Sequence, residues 1–248
     1  ASEQLNQQTY LTKLRQAILQ EAIEGKLTAD WRVKNPVQKG NPDFDAVALL
    51  EKIKAEKKKL ITDGKTKKEK PLAPINADDV PFALPDGWGW VYLNQIISGT
   101  ESGKSPQCLT VSENQWGVIK TTAIQELVFL ENENKLLPKN FIVSDWHVIK
   151  NDDLIITRAG PINRVGIVCH VRSLNKNLIL SDKTVRINYF RKYISPAYLA
   201  ICFNSKTTKK LLELKMTGMA DSQVNITQQN LQNILMPLPP LYEQNAIV

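Results

Sequence analysis

The chain has 248 residues, 42% of them hydrophobic, and a formal net charge of +7. That suffices for one medium domain with an appendage, or two small domains, around a real core, and the charge points towards nucleic acid, an anionic surface or an acidic partner. No apolar run approaches the roughly 20 residues that span a bilayer, residues 1–10 are too polar for a secretory leader, and Cys108, Cys169 and Cys202 share no short spacing, which excludes a disulfide framework or a Cys-x-x-Cys metal knuckle and fits a soluble, cytoplasmic protein with small buried thiols.

Residues 10–28, YLTKLRQAILQEAIEGKLT, repeat apolar side chains every three to four positions, at Leu11, Leu14, Ile18 and Ala22, with Leu19 and Ile23 widening the stripe. This period predicts an amphipathic helix, and Gly25 suits its C-terminal end. PVQKGNPD, residues 36–43, reads as a connector. A second helix is expected from about Phe44 to Ile61, with Ala46, Leu50, Ile53, Lys57 and Leu60 on a heptad-like seam that the lysine interrupts. Residues 54–70 hold eight lysines against Glu56, Asp63 and Glu69, a strip that is either solvated or faces phosphate or a partner.

From Pro81 the helical period disappears. Short runs rich in Val, Ile and Thr follow at Trp116–Thr122, Phe141–Val143, Leu154–Thr157, Val165–Arg172, Leu178–Leu180 and Thr184–Phe190. Their irregular spacing predicts a distorted sheet or barrel rather than a repeat array. Helical character returns at Ser195–Leu214, with Ser195 as N-cap and Pro196 as the first helical residue. KMTGMADSQVNIT, residues 215–227, reads as a polar turn or a functional loop, in which Gly218 permits positive φ. Gln223 there either closes the turn through its side chain or contacts a partner, and the turn-closing role is the one expected. Pro237, Pro239 and Pro240 stop one element, and Glu243–Val248 read as the first turn of a helix that a longer native chain would continue.

LIITRAGPINRVGIV, residues 154–168, is a strand–turn–strand pattern with Arg158 and Arg164 at the two ends of its turn. Two fixed positive charges on one loop suit either a solubilising tip or a negatively charged partner. No catalytic constellation stands beside them. His147 and His170 lack cysteine or carboxylate at metal-ligand spacing, so no metal is expected. There is no phosphate-binding Gly-x-x-x-x-Gly-Lys loop, no Gly-x-Gly-x-x-Gly, no Gly-x-Ser-x-Gly elbow, and no Asn-Pro-Pro-aromatic tetrad of an amino-methyltransferase. Glu-x-Lys at Glu56–Lys58 and Glu213–Lys215 falls on predicted helices with no suitable aspartate nearby, as chance matches do.

Several stretches together resemble one half of a specificity subunit of type I restriction–modification systems. They are LRQAILQEAIEGKLT, ALLEKIKAEKKKLITDGKTKKEKPLAPI, PFALPDGWGWVYLNQI, WGVIKTTAI, NDDLIITRAGPINRVGIV and MPLPPLYEQNAIV, in the family's order. The resemblance implies an α+β fold: a helical arm over residues 1–71, a target recognition domain of mixed, distorted sheet over 72–236, and the start of the next helix at 237–248. It implies a chain with no cofactor and no catalysis of its own that reads one half of a bipartite site in double-stranded DNA. Its other expected partners are the methyltransferase subunits, through them the restriction subunit, and a second recognition half or a second copy. Leu11, Leu14, Ile18 and Ala22 would form the partner-facing stripe.

For DNA, lysines and arginines neutralise phosphates and polar side chains reach base edges. Lys104, Lys120, Arg158, Arg164, Lys183, Arg186, Lys206, Lys209, Lys210 and Lys215 are the candidates for the first role, and Thr121, Thr122, Asn163, Gln223 and Asn225 for the second. The motif around Arg158 and Arg164 is shared by family domains that read different sequences, which implies contact with phosphate or with the fold rather than with a base. The rival readings are a methyltransferase or nuclease with an unrecognised catalytic site, and a scaffold that uses only its helices.

Overall fold

The computed structural model describes residues 2–66, 72–108 and 115–248. In chain order come α1 (Ser2–Ile23), α2 (Ala29–Lys34), α3 (Ala46–Thr62), β1 (Gly89–Tyr92), α4 (Leu93–Ile96) and β2 (Ile97–Ser102). Next are β3 (Trp116–Ile119), β4 (Ile124–Gln125), β5 (Val128–Phe129), β6 (Asn134–Leu136), β7 (Leu154–Thr157), β8 (Ala159–Gly160), β9 (Val168–His170), β10 (Asn177–Ile179) and β11 (Thr184–Tyr189). Then follow α5 (Pro196–Asn204), α6 (Lys206–Glu213), β12 (Thr217–Ala220), β13 (Gln223–Asn225), α7 (Gln228–Gln232), β14 (Leu235–Leu238) and α8 (Leu241–Ile247). The fold is α+β, and the strands of the described residues form several small sheets and no closed barrel.

Two compact units result. One comprises Ala1–Ile96, Arg191–Leu211 and Ile234–Val248; the other comprises Ile97–Phe190 and Leu212–Asn233. This grouping does not run in chain order, because β14 pairs antiparallel with β1, and α5 packs on α1, bringing residues 191–211 and 234–248 to the first helices.

In the first unit, only the C-terminal end of the α1 stripe is core: Leu19, Ala22 and Ile23 are buried. The helix stops at Gly25, whose φ of +71° suits glycine, and where a Cβ would lie 2.6 Å from Pro85. Asp45 caps α3 by accepting from the Val47 amide, and the buried face of α3 is Ala46, Leu49, Ile53 and Lys57. Lys57 interrupts the apolar seam without exposing its charge: its ammonium donates to the Asn94 carbonyl (2.7 Å) and to Asn94 Oδ1 (2.6 Å). Ser195 and Pro196 start α5 as their types predict. The single expected helix over 195–214 is broken at Ser205, which is extended (ψ 152°). Its hydroxyl donates to the Cys202 carbonyl at 2.7 Å and accepts from the Thr208 amide, so one serine ends α5 and caps α6.

The closing motif PLPPLYEQ fastens this unit. Glu243 is buried, and its carboxylate accepts from Thr28 Oγ1 (2.6 Å), Arg32 Nη1 (2.5 Å) and Trp88 Nε1 (2.7 Å). Gln244 accepts from the Ser195 amide and donates to the carbonyls of Tyr193 and Pro239. A buried carboxylate is tolerated only when paired and hydrogen-bonded in this way.

In the second unit, β2-β11-β7-β9 form an antiparallel sheet. β7 is flanked on both edges and buried at all four positions, which explains why Leu154–Thr157 is a continuous apolar run rather than an alternating one. Ile155 and Cys169 pack with Ile119, Ile124, Leu178 and Leu180 in the main core cluster. Burial pushes the Cys169 thiol above its ordinary pKa and, in the first unit, that of Cys202 up to about 12. β3 lies between β10 and β6, and β13 lies between β12 and β8. The expected strand at Phe141–Val143 does not form. Phe141 is turned back onto the Pro138 carbonyl, and it and Val143 pack on Val118, Leu137 and Ile179 without a strand partner.

Candidate nucleic-acid interface

The 158–164 turn and the 215–227 stretch, 50 residues apart in sequence, are parts of one small sheet. β13 pairs with β8 (Val224 opposite Gly160, Asn225 opposite Ala159) and with β12 (Thr217 opposite Asn225, Ala220 opposite Gln223). The Ile226 amide donates to the Arg158 carbonyl, and the Ile162 amide donates to the Asp221 carbonyl at the hairpin tip. Residues 215–227 are thus a β-hairpin and not a loose polar turn. Gly218 is not in a positive-φ conformation. Its requirement is close approach: a Cβ there would stand 2.5 Å from the Gln223 carbonyl oxygen of the facing strand. The Gln223 amide does not close the turn either; it has no hydrogen-bond partner among the described residues, and backbone pairing holds the hairpin.

The two arginines of the turn differ. Arg164 is half-buried, and its Nη2 donates to the carbonyls of Thr121 (2.8 Å) and Ile124 (2.7 Å), while Nη1 reaches Gln125 Oε1 (3.3 Å). It ties the turn to the 3-10 turn Thr121–Ala123. The Arg158 side chain has no such anchor among the described residues, although the Nε of both arginines is buried without a partner. Its backbone amide donates to the Lys183 carbonyl.

Thr121 and Lys183, reached through these links, line one cleft of about 630 Å³ with Lys120, Thr122, Lys135 and the acidic Asp182. Lys120 and Thr122 both bond Glu133 Oε2, at 3.4 and 2.6 Å. The Thr122 hydroxyl first, and then the Lys120 charge, hold the Glu133 carboxyl below the ordinary carboxylate range, so it stays ionised and neutralises part of this rim. Lys135 belongs to the cleft although the sequence reading passed it over; in LENENKLLP nothing distinguishes it from a solvated strand residue.

The remaining candidates fall elsewhere. Arg186 is 8% exposed, with Nε on Asp153 Oδ2 (2.9 Å), Nη1 on Glu101 Oε2 (2.9 Å) and the Trp146 carbonyl (3.0 Å), and Nη2 on the Val148 carbonyl. It is an internal tie rather than an open cation. Lys104, Asn163, Gln223 and Asn225 are exposed in the second unit, and Lys215 is half-buried where the chain enters β12. Lys206, Lys209 and Lys210 lie on α6 within the first unit. Of the expected partner stripe, Leu11, Leu14 and Ile18 are exposed, whereas Ala22 is covered by the unit's own core. Among the described residues no cluster of His, Cys, Asp and Glu is placed to hold a metal, and no helix is long and apolar enough to cross a membrane.

No known family profile matches the chain. Over 238 residues, 95% of this chain and 39% of the relative, it is 40% identical to the EcoEI type I restriction enzyme specificity subunit of Escherichia coli. The EcoAI specificity subunit of the same organism is 28% identical, over 96% of this chain and 38% of its own length. Among solved structures, the HsdS subunit from Thermoanaerobacter tengcongensis matches with a TM-score of 0.45 and 19% identity, over 90% of this chain and 47% of that one. The chain therefore spans about two fifths of the length of the curated relatives it matches.

Proposed function

The chain is a relative of type I restriction enzyme specificity subunits, and from that premise we propose that it binds one half of a bipartite double-stranded DNA site through its second unit. It performs no catalysis itself, and it positions methyltransferase subunits and, through them, a restriction subunit. The observation that carries the reading is the convergence, within one unit, of the 158–164 turn, the 217–225 hairpin and the lysine-lined cleft, joined by Arg164 and by the backbone link from Arg158 to Lys183. Lys104, Lys120, Arg158, Lys183, Lys215 and Lys135 are the phosphate-facing set, while Arg164 and Arg186 hold the fold. The exposed Leu11–Leu14–Ile18 stripe of the first unit is the assembly face, covered by a methyltransferase subunit, a second recognition half or a second copy of the chain.

The test is duplex binding by fluorescence anisotropy across a salt series. With four to six phosphate contacts, log K should fall against log salt with a slope of about −4 to −5. A slope near zero would refute the DNA reading. Titration with S-adenosylmethionine separates it from the enzyme reading, since saturable binding of that cofactor would favour a methyltransferase.

A further inference from the structure

We propose that the β12–β13 hairpin is the base-reading element, that its exposed face meets the major groove, and that Gln223 and Asn225 on that face each read one base pair. The inference rests on the DNA-binding reading above and adds to it the element that supplies sequence preference.

The strand pleat separates the two faces. Val224 is buried, and its neighbours Gln223 and Asn225 are exposed on the opposite side. Residues two apart on a strand are about 6.6 Å apart, close to two base steps of about 3.4 Å. β13 is flanked on its far edge by β8, which is only two residues long, and Gly218 lets β12 approach the Gln223 carbonyl and Val224 closely.

The side chains have the required chemistry. A primary amide carries a donor and an acceptor side by side, the pattern that matches N6 and N7 of adenine. The Gln223 amide is unbonded among the described residues; Asn225 shares only its Oδ1 with the Thr217 hydroxyl, at 3.3 Å, which fixes its orientation. Asp221, exposed at the tip, would be repelled by phosphate, but as an acceptor it matches the exocyclic amine of cytosine. The cations sit where the chain enters the sheet, with Lys215 before β12 and Arg158 before β8, placed for the phosphates bordering the groove. Backbone bonds at both ends of β13, Ile226 to Arg158 and Ile162 to Asp221, hold the hairpin in place before binding, so little ordering cost remains.

The experiment selects duplexes from a randomised library with the whole chain and with its Gln223→Ala, Asn225→Ala and Lys183→Ala variants, with thermal melting as a folding control. The wild type should enrich one short motif. Gln223→Ala and Asn225→Ala should each lose preference at one position, a different one in each variant, by roughly tenfold to a hundredfold, with the salt slope unchanged. Lys183→Ala should keep the motif and flatten the slope by about 0.9. If both amide variants enrich the wild-type motif undiminished, or lose affinity equally for all sequences, the hairpin is not the reader although the DNA reading stands. If the wild type enriches no motif, both fall together.

Discussion

Replacing Arg186 by methionine should destabilise the second unit and leave the electrostatics of DNA binding untouched. The methionine keeps most of the aliphatic volume and removes four hydrogen bonds, to Asp153, Glu101 and the carbonyls of Trp146 and Val148. Glu101 is partly exposed and regains water, but Asp153 is 5% exposed and keeps a buried charge with the Lys150 amide (2.8 Å) among its remaining donors. Stranding one partner of a buried ion pair costs about 3–5 kcal/mol. In a chain of this size, 3–5 kcal/mol lowers Tm by roughly 6–20 °C. Calorimetry and urea unfolding measure the loss, and a salt series with duplex DNA measures the slope at a temperature where the variant is folded. A Tm within about 2 °C of wild type, together with a slope shallower by about 0.9, would mean that the guanidinium faces phosphate and that the internal role assigned to it is wrong.

Leu14→Lys with Ile18→Lys changes side chains that are already exposed, so stability should move by less than about 0.5 kcal/mol while co-elution with a methyltransferase subunit is lost; altered base preference with intact assembly would reverse the two roles. His147 is buried, neither ring nitrogen has a hydrogen-bond partner among the described residues, and burial first, then the charges of Lys104 and Arg186, hold its pKa below the ordinary 6.5. The unfolded chain therefore takes up the proton first. This contribution is complete above about pH 6.5 and is lost as pH falls below it, by up to about 1.4 kcal/mol per pH unit. His147→Phe should flatten that part of the urea-midpoint profile between pH 7.5 and 5, and parallel curves for variant and wild type would acquit the histidine.

What the sequence by itself determined is what depends on neighbours a few residues away. The start of α5 at Ser195 and Pro196, the stop of α1 at Gly25 and the strand at Leu154–Thr157 follow from capping, backbone freedom and a local apolar run, and all three stand in the structure. The family resemblance was readable for the same reason, since short motifs in a set order carry it. What only the tertiary structure decided is which of several chemically equal residues is in use. Arg158, Arg164 and Arg186 are the same side chain in similar β-rich contexts. Arg186 is internal because Asp153 and Glu101 come to it from 33 and 85 positions away, Arg164 because carbonyls 40 and 43 positions away meet it, and Arg158 has no such partner among the described residues. Glu243 lies in the first turn of a helix, as expected, and its carboxylate also closes a buried cluster with Thr28 and Trp88, 215 and 155 positions distant. Charge and hydrogen bonding act over a few ångströms of space whatever the separation along the chain, so the role of each polar side chain was settled by packing that no local pattern encodes.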